Sequence, residues 1–105
     1  MGARAELSAG KAMATRWRRR QMCALVSDQI SPAAIRTISA SGAFLETTAR
    51  PVLNSAVELR HPEAGAIAGW VDALRLDGVV LRFEGGEHSV AFALSAIAAD
   101  MSKPA

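Results

Sequence analysis

Between Gln21 and Phe83 the hydrophobic positions come in short stretches, several of them alternating, with turn residues roughly every eight to twelve positions. That rhythm predicts a small all-β barrel or sandwich rather than a helical domain. Met22 to Val26 is the first stretch, ended by Ser27 and Asp28, and Ala34 to Ser39 is the second, after a break at Ser31-Pro32. The two read as a hairpin. Ala43 to Glu46 follows Gly42, and Arg50-Pro51 with Asn54 marks a loop before Ala56 to Arg60, where Val57 and Leu59 share a face. His61-Pro62-Glu63 marks the next turn, and Ala66 to Leu74 then places Ile67, Gly69, Val71 and Ala73 on one face. Asp77-Gly78 predicts a tight turn into Val79 to Phe83, with Val79, Leu81 and Phe83 facing one way and Arg82 the other.

After Gly85-Gly86 the period changes. Ser89 can cap a helix in which Val90, Leu94, Ile97 and Met101 form one apolar stripe, and the pattern predicts that this helix packs on the sheet through the stripe. Met1 to Thr15, rich in Ala, Gly and Ser without a period, is expected to be a poorly ordered lead-in, and 102–105 a short tail. One folded unit over 16–101 is therefore expected.

A chain of 105 residues, 50% hydrophobic, has room for one modest core and no second domain. No apolar run approaches the ~20 residues that span a bilayer, and no secretory or lipidation signal is evident, so the expectation is a soluble protein without membrane insertion. The single cysteine, Cys23, has no disulfide partner within the chain, which fits the cytoplasm. The net charge of +2 conceals a division. Arg4, Lys11, Arg16, Arg18, Arg19 and Arg20 against Glu6 give residues 1–20 a net +5, which leaves −3 for the remainder. A basic arm before a mildly acidic body points to an anionic partner reached through the arm.

Catalytic chemistry finds few candidates. His61, beside Pro62, and His88, before the helix, read as exposed polar residues, and two isolated histidines make a weak zinc site. Cys23, in an alternating stretch, reads as a small buried hydrophobe. Gly85-Gly86 lacks the Lys-Ser/Thr of a phosphate-gripping loop. The expectation is a protein that is not an enzyme and needs no metal or cofactor.

Arg16-Trp17-Arg18-Arg19-Arg20 carries an R-x-x-x-R spacing just before the first strand, and Thr37-Ile38-Ser39-Ala40-Ser41-Gly42 ends the second strand in a turn. In these two motifs, and in the order of Phe44-Leu45, Gly69-x-Val71, Gly78 to Phe83 and a trailing helix, the chain resembles the PilZ family over roughly Arg16 to Met101. The resemblance implies a six-stranded antiparallel barrel with a C-terminal α-helix and a flexible basic N-terminal arm. It also implies binding of the bacterial second messenger cyclic di-GMP, with closure of the arm relayed to a downstream protein partner. The residues it assigns to the ligand are Arg16, Arg20, Thr37, Ser39 and Gly42, with Thr15, Trp17 and Arg19 as further candidates. Arginine's planar fork suits both phosphate oxygens and the O6/N7 edge of guanine. Ser39 offers a hydroxyl, and Gly42 offers a positive φ and a close backbone approach. The family pattern opens with Asp or Asn where this chain has Thr37. That departure supports an alternative, an adaptor that binds a protein and no nucleotide. Binding of a nucleic-acid strand is disfavoured, because no Tyr, three Phe and two Trp leave few stacking platforms.

Overall fold

A computed structural model describes residues 21–102. Its elements are β1 (Cys23–Val26), β2 (Ile30–Ser39), β3 (Gly42–Glu46), β4 (Ala56–His61), β5 (Gly65–Arg75), β6 (Gly78–Phe83) and α1 (Glu87–Ser102). The six strands close into an antiparallel barrel in the order β1-β2-β3-β6-β5-β4, with β4 pairing back onto β1. The expected barrel with a C-terminal helix is what the chain forms. No helix among the described residues is long and apolar enough to cross a membrane.

Alternation fills the barrel. Leu25, Leu45, Leu59, Val71, Val79 and Leu81 point inward and are essentially inaccessible to water, with Cys23, Ala33, Ile35, Val57, Ile67 and Phe83 around them. Closure pairs every strand with a neighbour on both sides, although not along its whole length.

Two strands break the alternation with bulges. In β2 the pairing moves from Ile35↔Leu45 to Thr37↔Phe44, which leaves Arg36 as the extra residue. Ala33 and Ile35 face in, Arg36 and Thr37 both face out, and Ile38 returns to the core. In β5 the pairing moves from Val71↔Leu81 to Ala73↔Val80, so Asp72 is extra. Ala73 therefore leaves the face of Ile67, Gly69 and Val71 on which its spacing had put it. A bulge adds one residue and turns everything after it over.

Other boundaries also differ from the pattern. β2 begins at Ile30 and runs through Pro32, which pairs with Ala24 of β1. Pro32 is tolerated because the β3 ladder starts only at Ala34↔Glu46. The carbonyl of Pro32 takes the Thr47 hydroxyl at 2.8 Å, so its hydrogen-less nitrogen points to the same unladdered side. The β5–β6 turn is Leu76-Asp77, with Gly78 already paired to Arg75.

The helix begins at Glu87, two residues ahead of the expected cap, and the Ser89 hydroxyl accepts the Gly85 N–H at 3.1 Å. Its orientation corrects the sequence pattern. Phe92, Ala93, Ala96 and Ala99 face the barrel, whereas Val90, Leu94, Ile97 and Met101 are 44, 63, 39 and 79% exposed. Phe92 reaches into the barrel mouth, edge-on to Phe83 and to His61, and the alanines let the helix backbone lie close. Close approach of the backbone is the contribution alanine makes, and it leaves no mark in a stripe of large side chains.

Candidate ligand groove at the β2–β3 turn

Thr37 and Ser39 face outward because the Arg36 bulge turns the end of β2 over; without it they would continue the inward phase of Ala33 and Ile35. They line a groove of about 460 Å³ together with Ser41, Gly42, Phe44, Asp72 and Arg82. The three motif residues that fall in the described part of the chain, Thr37, Ser39 and Gly42, thus share one concave surface. Arg16, Arg20, Thr15, Trp17 and Arg19 lie outside the described residues.

Ser39 and Gly42 have structural tasks as well. The Ser39 hydroxyl accepts the Ser41 N–H at 3.2 Å and lies 2.9 Å from the Ser41 hydroxyl, closing the two-residue turn. The expected positive φ at Gly42 is not found; among the described residues positive φ falls at Asn54, Gly65, Gly85 and Gly86. What requires glycine there is the neighbouring strand, since a Cβ on Gly42 would overlap the Leu81 carbonyl oxygen of β6.

Of the groove residues that the sequence motifs do not assign, Asp72 and Arg82 carry charge. Arg82 stands opposite Gly42 on one side and Trp70 on the other, with its guanidinium 5.5 Å from the Trp70 ring centroid and 2.8 Å from Asp72 Oδ1. Asp72 enters the groove through its bulge, which pairing register alone reveals. Outward alternation in β6 did flag Arg82 as exposed, although nothing in the pattern tied it to Thr37. The groove's own charges nearly cancel, because its arginine is paired with its aspartate. Arg36, at the neighbouring bulge, is held by Glu46 and Asp77 and lies over the Phe44 ring at 5.5 Å; the Glu46 hydrogen bond raises its already high pKa.

Register places Gln21 and the start of β1 at the same end of the barrel. β1 starts at Cys23 opposite Ala33, and β2 runs on past that point to Ser39. Gln21 anchors the entry: its N–H is 3.5 Å from Asp100 Oδ1 on α1, and its side chain donates to Glu63 Oε2 at 2.6 Å. His61 lies beneath. Contrary to the exposed turn residue the sequence implied, it is 4% exposed, because it occupies the last inward position of β4. Its Nδ1 accepts the N–H groups of Glu63 and Ala64 at 3.0 Å each, which fixes the Nε2–H tautomer and turns that proton toward Asp100 Oδ1 at 3.4 Å. Cys23 is buried beside this node; burial, with the charge of Asp100 as a smaller contribution, pushes its thiol up to about 11. His88 is exposed, as expected, and no cluster among the described residues could hold a metal ion.

No family model, no curated protein and no solved structure matches this chain.

Proposed function

We propose that this chain is a non-enzymatic cytoplasmic receptor for cyclic di-GMP, which it holds in the β2–β3 groove and closes over with residues 16–20. The observation that carries the reading is a juxtaposition. Thr37, Ser39 and Gly42 line one groove, at the barrel end where Gln21 leads back to Arg20. A dianionic ligand needs positive charge that the groove lacks, with Arg82 paired to Asp72, and the Arg16/Arg20 pair supplies it. Ser39, Ser41 and the backbone near Gly42 offer hydrogen-bonding groups to a guanine, and the Arg82 guanidinium offers a flat cationic surface. Closure of 16–20 presents a surface that the empty protein lacks, the means of signalling to a downstream protein partner. The resemblance to the PilZ family, stated on these motifs, supports the same ligand.

Calorimetric titration tests the reading. One saturable event is expected with cyclic di-GMP, weakened by Arg16→Ala and by Arg82→Ala, and absent with GMP at the same concentration. No heat at high micromolar nucleotide overturns it. Thr37, in place of Asp or Asn, together with a Ser39 hydroxyl already engaged in its own turn, favours the second reading, an adaptor whose groove meets a protein. A partner captured equally with and without nucleotide, by a chain that shows no heat, would establish it.

A further inference from the structure

The outward face of α1 lacks the charge that solvent-facing helices carry. Val90, Leu94, Ile97 and Met101 recur at intervals of four, three and four, and the residues between them on that face, Ala91, Ser95 and Ala98, are exposed as well. Between His88 and Asp100 no charged side chain interrupts it. Because the opposite face is spent on the barrel, the helix is apolar all round, a pattern that belongs to helices covered on every side.

Size and tethering decide what covers it. Four partly exposed aliphatic side chains offer on the order of 400 Å², about half of the ~800 Å² per partner in a stable two-molecule complex. A free partner gains too little from such a face. A segment of the same chain pays no bimolecular cost, since a short tether holds it at an effective concentration near the millimolar range. Such a segment leads away from this spot: Gln21 is hydrogen-bonded to Asp100, the residue before Met101. Trp17 stands four residues earlier, within about 14 Å of chain, and Leu94 lies about 10 Å along the helix from Met101. Within residues 1–20, Trp17 and Met13 are the large apolar side chains nearest in sequence to Gln21, and Arg18, Arg19 and Arg20 stand between Trp17 and Gln21.

We propose that the outward face of α1 is the docking site of this chain's own N-terminal segment, with Trp17 and Met13 seated on Leu94, Ile97 and Met101. The contact belongs to the chain without nucleotide, and its test needs none. In the full chain carrying Trp70→Phe, Trp17 is the sole indole, so its emission and its quenching by acrylamide report its surroundings. The expected result is an emission maximum to the blue of the urea-unfolded chain and quenching several-fold weaker, both unchanged on dilution. Adding Leu94→Glu, or separately Ile97→Glu, should return both readings to the unfolded values while far-ultraviolet circular dichroism stays that of the folded barrel; these side chains point away from the barrel core, so the barrel tolerates the change. Trp17 as exposed in the Trp70→Phe chain as in urea overturns the proposal. So does protection that disappears on dilution in step with a dimer seen by sedimentation, which would assign the face to a second copy.

Discussion

Gly42 and Gly78 pinch the β3–β6 seam at its two ends, each the first residue after a two-residue turn and each set against a carbonyl of the opposite strand. A Cβ on Gly42 would overlap the Leu81 oxygen, and one on Gly78 the Leu45 oxygen. The glycine of the turn motif is therefore required by the barrel itself. Gly42→Ala should cost about 1–3 kcal/mol, the range of overpacking, and chemical denaturation measures it; an unchanged midpoint would show that the strands separate at no cost. Cys23 makes a second residue-scale prediction. Its thiol is held up to about 11 from an ordinary value near 9, chiefly by burial and then by the Asp100 charge. Folding favours the neutral thiol, so that contribution to stability is intact below pH 9 and declines as pH rises toward 11. Native protein should resist thiol reagents at pH 8 until denaturant is added. Rapid labelling of the folded chain would contradict the burial.

At the scale of elements, hydrophobic alternation identified six strands and one helix, because burial against a single core imposes a period of two on every strand. It failed where geometry inserts or reuses a residue. The bulges at Arg36 and Asp72 change face without changing composition, which is why Thr37 was legible only as a motif residue and Asp72 as nothing at all. His61 reads as a turn residue because its neighbours Pro62 and Glu63 signal a turn, while its own position continues the inward row of Val57 and Leu59. In α1, the large aliphatic side chains that make a visible stripe lie on the outward face, while Phe92 and three alanines pack the inner one. The two faces make opposite predictions. Phe92→Ala should open a cavity at the barrel mouth and cost about 3–5 kcal/mol, releasing the helix amides to hydrogen exchange. Leu94→Ala should cost under about 1 kcal/mol. Equal losses in thermal or chemical unfolding would mean that the helix is rotated from the orientation described.

For the whole molecule, charge is divided between segments: a net +5 before Gln21 and −3 after Arg20. The proposed ligand must meet both the near-neutral groove and the basic segment, and two physical roles for Arg16 and Arg20 can be separated. If they only raise the local potential, lysine serves as well as arginine, and affinity falls steeply with salt as exposed charges are screened. If they grip phosphate or guanine through two parallel N–H donors, lysine keeps the charge and loses the fork. The arrangement proposed requires the second role, because the acidic body works against attraction by potential alone. Each Arg→Ala change then removes a hydrogen bond to a charged group, worth about 1.5–3 kcal/mol, or roughly 10–100-fold in affinity. Arg16→Lys and Arg20→Lys should each recover only part of that loss at fixed ionic strength, with thermal stability unchanged throughout. Full recovery by lysine in calorimetric titration would replace the specific clasp with a general electrostatic field.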